Sequence, residues 1–214
     1  IMVSNGGQIT PAYQISKLCR EWSKERFVAV VPREAKSAAT LIALGADVVH
    51  MGPLGHLGPI DPMYNGVAGL AIQESIRTIT KLTHEHPGSS EMWAEVLYRD
   101  GQYQILGHYE RTVEASVQYG QRLMISGKSD PERAARIADH LVYGYKNHGF
   151  VIDKEEAREI FGEESVVDSS SELSFSEEIY RMISRVENGI KTVEDEDNNL
   201  LFEGLSVVGS LHDG

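Results

Sequence analysis

Five consecutive apolar residues, Phe27-Val28-Ala29-Val30-Val31, stopped by Pro32, constrain this chain more than any other feature. A Val-rich run that short, without polar alternation, suits a strand covered on both faces. Residues 37–44 (Ser-Ala-Ala-Thr-Leu-Ile-Ala-Leu) then form a compact helix of small residues ended by Gly45, and residues 46–51 return as another strand. Upstream, Ile1-Met2-Val3 looks like the end of a strand running into Asn5-Gly6-Gly7. A helix is expected over about residues 11–25, with Pro11 in its first turn and Ile15, Leu18, Cys19 and Trp22 on one face. Alternating strands and helices favour parallel pairing through helical crossovers, an α/β fold.

Downstream the pattern changes. Residues 52–66 carry four Gly and three Pro without helical period, and are expected to form a loop. The middle, 67–126, is mostly helical, with one helix over 66–83 and another over 109–126 in which Val113, Val117 and Leu123-Met124 recur. Between them, Asp100-Gly101 could turn a hairpin or end a helix carrying Trp93 and Leu97; helix is favoured. Ser129-Asp130-Pro131-Glu132 starts a helix whose face is Ile137, Leu141, Val142 and Tyr145, and His148-Gly149 ends it. Asp153 with Glu156 marks another start, Gly162 its stop. A Ser-rich link follows over 168–176, then a last amphipathic helix to about residue 188.

Charge divides the chain unevenly. Residues 1–150 hold 15 acidic and 15 basic side chains, whereas residues 151–214 hold 17 acidic and 5 basic, so the net charge of −12 belongs to the last segment. That segment repels a phosphate backbone and no basic stripe compensates, which argues against nucleic-acid binding. Glu194-Asp195-Glu196-Asp197 reads as a solvated run. No apolar run reaches the roughly 18–20 residues of a membrane span. A single cysteine, Cys19, leaves no intrachain disulfide and no Cys-rich metal site, which fits a reducing compartment.

Three short segments could carry chemistry. In Pro32-Arg33-Glu34-Ala35-Lys36-Ser37-Ala38-Ala39-Thr40 a serine stands where a buried strand turns into a helix. First-turn N–H groups lack helical partners and bear partial positive charge, so a hydroxyl there can attack a carbonyl whose developing oxyanion those groups receive. This is the logic of a nucleophile elbow without the G-x-S-x-G pattern. The plainer alternative is a serine that caps its helix. Asn5-Gly6-Gly7 can aim N–H groups at a ligand, or merely turn the chain. Leu57-Gly58-Pro59-Ile60-Asp61-Pro62 stiffens a loop around one carboxylate, which otherwise reads as a turn or cap Asp.

In this order and spacing, Val3-Ser4-Asn5-Gly6-Gly7, the stretch 31–47 containing Ala35-Lys36-Ser37-Ala38-Ala39-Thr40, and Leu57-Gly58-Pro59-Ile60-Asp61-Pro62 resemble the serine dehydrogenase proteinase family. That family belongs to the Clp-protease/crotonase superfamily and is related to signal peptide peptidase A. The resemblance is dense over residues 3–63, looser through Gln118-Tyr119-Gly120 and residues 148–167, and absent from the acidic tail. It implies a spiral of strand–strand–helix units lacking its first strands here, with a mostly helical C-terminal half. A serine protease domain would occupy 1–167 and an acidic C-terminal extension 168–214. It also implies peptide-bond hydrolysis through an acyl-enzyme at Ser37, with Gly6, Gly7 and the N–H of Ala38 as oxyanion hole and no cofactor. Membrane-associated or misfolded peptide segments are the implied substrates. A homo-oligomer is implied too, in the cytoplasm, with membrane association left to segments outside this sequence.

The resemblance is less direct about the base. Clp-type subunits carry a His about 25 residues after the Ser, a place held here by Asp61, and an Asp before a Glu-Ala helix, a place held here by His148. A Ser37–His148–Asp61 triad with exchanged positions is the expectation, the imidazole taking the Ser proton and the carboxylate fixing its tautomer. The alternative is a Ser–Lys dyad as in signal peptide peptidase A, with Lys81 as candidate, a role that needs a desolvated amine. Lys36 points elsewhere on the helix. His84 and His86 lack a third ligand nearby, so no metal is expected. His56 is a candidate for the cleft wall, and His50, His108, His140 and His212 for ordinary contacts. Two other readings use the same residues: an acyl-CoA enzyme of the same fold that needs no Ser37, and an inactive assembly module.

Overall fold

A computed structural model describes residues 1–64, 67–100, 103–127 and 129–191. In chain order the elements are α1 (Ile9–Trp22), β1 (Val28–Val31), β2 (Glu34–Ala35), α2 (Ala38–Leu44), β3 (Val48–Met51), β4 (His56–Leu57), β5 (Met63–Tyr64) and β6 (Val67–Ala68). Helices then dominate, with α3 (Gly69–Glu85), α4 (Ser90–Asp100), α5 (Tyr103–Ser126), α6 (Pro131–Tyr143) and α7 (Lys154–Phe161), followed by β7 (Val166–Val167) and α8 (Ser171–Lys191). The protein is a mixed α/β molecule built on small parallel sheets. Among the described residues no helix is long and apolar enough to cross a membrane. The acidic run at 194–197 and His212 lie outside the described residues.

The Val-rich run is the centre, as its composition requires. β1 pairs in parallel with β3, Val28 opposite Val48 and Val31 opposite Met51, and β3 pairs in parallel with β7. Val31, Val49 and Met51 are fully buried, as is Leu41 of α2. β7 is a strand with no sequence signal of its own: two valines after an acidic turn. The expected strand at 1–3 is reduced to main-chain contacts, Met2 N–H to Val30 O and a single parallel bridge from Ser4 to Ala35. The loop at 52–66 contains β4 and β5. Asp100 is the last residue of α4 and α5 begins at Tyr103; Gly101 of the expected Asp100-Gly101 turn lies outside the described residues.

One expectation is corrected. The face of α1 turned inward is Ala12 and Ser16, while Ile15, Leu18 and Trp22 are 46%, 49% and 79% exposed. Tight packing on α2 selects the small residues. Ser16 donates to Ile42 O at 3.0 Å, and a Cβ on Gly45 would lie only 2.0 Å from Ser16 Oγ. The described part of the segment after 168 packs on the body. The Ser-rich link is mostly the first turn of α8, which lies against β1 and β3 with Leu173 and Ser176 buried. Arg33 grips this helix, pairing through both guanidinium nitrogens with the Glu177 carboxylate at 2.5 and 2.9 Å and stacking on Tyr180. Glu177 holds the Arg33 pKa above its ordinary value. At the head of α8, Ser170 Oγ bonds His50 Nδ1 at 2.8 Å. Burial of His50 pushes its pKa below the usual imidazole value.

Candidate active site

Four backbone segments lie side by side and end in functional residues. Ser4 bridges Ala35 in parallel, β2 pairs with β4 in parallel (Ala35 opposite Leu57), and Leu57 bridges Ile152 in antiparallel sense. Residues that follow Ser4, Ala35 and Leu57 therefore leave at the same end as residues that precede Ile152. Gly6 and Gly7, Ser37, Asp61 and His148 are all delivered there. The carboxyl end of parallel strands is where open α/β sheets bind ligands.

Ser37 occupies the N-cap position of α2, but its hydroxyl makes no capping bond and its backbone is at φ 53°, ψ −118°. Among the described residues it alone, other than glycine, has positive φ. A side chain in that region costs on the order of 1–3 kcal/mol, so this is a strained turn whose hydroxyl does not cap the helix. Gly6 makes the turn possible: it sits at φ 115°, and a Cβ there would stand 2.8 Å from Ser37 Cβ and 3.0 Å from Lys36 O. Its N–H is already committed to Ser4 Oγ at 3.1 Å. Of the three expected oxyanion donors, Gly7 and Ala38 thus keep the available N–H groups, and Gly6 acts by letting the chain approach the serine. The Asn5 amide lies 3.2 Å from both Glu34 carboxylate oxygens, and because those oxygens only accept, its nitrogen is the atom that suits the contact.

His148 Nδ1 lies 2.6 Å from Asp61 Oδ1. Asp61 is buried, whereas the His148 side chain is 22% exposed. A carboxylate can only accept, so Nδ1 carries the proton of this bond, and in the neutral ring Nε2 is then the acceptor. Several contacts set this pair. Leu57 N–H and Ile152 N–H each donate to the other's carbonyl at 2.9 and 3.0 Å, and Ile60 N–H donates to Leu141 O at 3.0 Å. Tyr145, stacked with Phe150, donates to Glu156 at 2.7 Å and pins the loop bearing His148 to α7. Burial and the Glu156 carboxylate hold its phenol well above the ordinary pKa, so it remains a donor.

Thr40 joins the two halves of the site. Its buried Oγ1 is 2.6 Å from Ala35 O and 2.8 Å from Gly58 O, and accepts the Gly58 N–H at 3.2 Å. One turn of helix after Ser37, it locks the serine turn to the loop that carries Asp61. Sequence reasoning passed over this residue; its place in Ala38-Ala39-Thr40, inside an apolar helix, was the available signal. Thr40→Val removes the hydroxyl while keeping the shape and strands a buried N–H. Urea unfolding should show a loss of about 2 kcal/mol, with Thr40→Ser close to wild type.

A groove of about 700 Å³ opens beside the pair, lined by Asp61 and His148 with Leu70, Leu82, Trp93 and Tyr145 among others. Ser37 is not part of that lining: the structure brings the serine to Gly6 and the imidazole to the carboxylate, and the two pairs share one sheet end. Lys81 stands 76% exposed on α3 facing Glu85 at 3.9 Å, so it has none of the desolvation a lysine base requires. Lys36 is paired with Glu34 at 3.0 Å, and His56 turns toward the same carboxylate at 3.8 Å. Among the described residues no cluster of three or more His, Cys, Asp or Glu could hold a metal ion.

The chain is 29% identical over 160 residues to the uncharacterized protein MJ0137 of Methanocaldococcus jannaschii, a match covering 75% of this chain and 50% of that protein. It thus spans about half the length of the curated relative it matches. No family model matches the chain. No solved structure matches it.

Proposed function

We propose that this protein is a serine-type peptidase with a Clp/crotonase-like arrangement, acting on peptide or protein substrates through an acyl-enzyme at Ser37. The observation that carries the reading is the delivery of a strained serine and a carboxylate-bound imidazole to one end of the same four-segment sheet. In the reaction, Ser37 Oγ attacks the peptide carbonyl carbon as its proton passes to Nε2 of His148. The oxyanion is received by the N–H groups of Gly7 and Ala38. Collapse expels the amine, which takes the proton from His148, and water repeats the sequence to release the acid. Asp61 holds the imidazole tautomer throughout. In this reading the hydrogen bond between Ser37 Oγ and His148 Nε2 forms when substrate is bound.

The reading is tested with a fluorophosphonate probe. Covalent capture at Ser37, located by peptide mass spectrometry, is expected in the wild type, absent in Ser37→Ala and much slowed in His148→Ala. A folded wild-type protein that forms no adduct would leave either acyl-CoA chemistry that uses the N–H groups alone or an inactive module.

A further inference from the structure

Helix α8 sits on the body through a largely polar side and carries its apolar residues mostly away from it. Leu173 and Ser176 are buried against the body, and Glu177 and Tyr180 are held by Arg33. At about 100° per residue these positions mark one side of the helix. On the other side Phe175, Met182 and Val186 are 59%, 57% and 45% exposed, with Ile179 partly buried among them, while Ile183 lies on the flank next to Ser176. Scattered exposed apolar residues are ordinary, but a continuous stripe along one helix is not. Residues 175, 179, 182 and 186 are spaced four, three and four apart, the seam spacing of paired helices.

Charge identifies the occupant. Glu178 and Arg185, both exposed, lie on the same flank of the stripe. Lay a second α8 antiparallel on the first, so that Ile179 is level with the partner's Met182 and Phe175 with the partner's Val186. Glu178 then faces the partner's Arg185, and Arg185 faces the partner's Glu178. The surface is self-complementary, the condition a twofold contact imposes.

We propose that the outward stripe of α8 is a self-association surface that joins two copies of this chain, antiparallel, through Phe175, Ile179, Met182 and Val186 and two Glu178–Arg185 pairs. The inference is independent of the chemistry at Ser37. The stripe is about 16 Å long at roughly 1.5 Å per residue. A seam that short buries well under the ~800 Å² per partner of a standard interface, so the dimer is weak, with Kd on the order of tens of micromolar. The grip of Arg33 on Glu177 and Tyr180 keeps the helix on its own body while the outer side pairs.

Sedimentation equilibrium of the full chain from about 5 to 500 µM tests this. A concentration-dependent dimer is expected, and Met182→Glu, still folded by circular dichroism, should be monomeric throughout. Glu178→Arg and Arg185→Glu should each raise Kd about tenfold, because each turns two attractions into two repulsions, and the double reversal should restore it. A wild type that stays monomeric, its stripe then serving another segment or partner, overturns the proposal. So does a dimer indifferent to Met182→Glu, or single reversals that the double variant does not repair.

Discussion

Asp61→Asn should slow peptide hydrolysis by about 10⁴-fold while leaving the protein folded. The reason lies in the direction of one hydrogen bond. Asp61 accepts from Nδ1 of His148 at 2.6 Å, which leaves Nε2 free to accept a proton. An asparagine fits the same space, but its amide nitrogen donates, so Nδ1 becomes the acceptor and the ring proton moves to Nε2. The imidazole then stays in place and can no longer serve as a base toward Ser37. Asp61→Ala would blur the result, because removing a buried carboxylate also opens a void beside Pro59 and Pro62. The comparison is kcat/KM on a fluorogenic peptide beside the urea midpoint. A rate within tenfold of wild type, with an unchanged midpoint, would remove the His148–Asp61 pair from the mechanism.

Substitution of Ser37 should separate activity from stability. Ser37→Ala and Ser37→Gly should both lose on the order of 10⁶-fold in kcat, as expected when a nucleophile is deleted. Their stabilities should differ. Alanine keeps the Cβ and therefore the cost of φ 53°. Glycine releases that strain and gives back part of the gain through the entropy of its unfolded chain. The net expectation is a glycine variant about 1 kcal/mol more stable than the alanine variant by urea unfolding. Equal midpoints would mean that the turn stores no strain, and the case for an elbow would weaken with it.

The parts of the fold legible from the sequence are those where one physical signal dominated. A short Val-rich run closed by proline can hardly be anything but a covered strand, and it is one. Asp130 and Asp153 cap α6 and α7 as their spacing indicated, accepting from Arg133 N–H and Glu156 N–H at 3.0 Å. The proximity of Asp61 and His148 came from motif position alone, with nothing local announcing it. Where signals competed, the larger side chains misled. In α1 the bulky apolar residues point outward because the contact with α2 admits only Ala12 and Ser16. Gly6 and Gly7 illustrate a related point, since two adjacent glycines look alike in sequence. Only geometry shows that one clears space for Ser37 while the other keeps a free donor. β7 was invisible because two valines acquire strand character only from the β3 edge they meet.

The antiparallel arrival of Ile152 beside Leu57 has a consequence for biosynthesis. Eighty-seven residues separate Asp61 from the His148 it binds. A chain leaving the ribosome therefore exposes its serine and its glycine turn long before the imidazole has been synthesised. In the proposed mechanism, competence for cleavage must wait until the helices between have folded and carried that loop back. Under that mechanism, a nascent chain that ends before residue 148 has a nucleophile without its base.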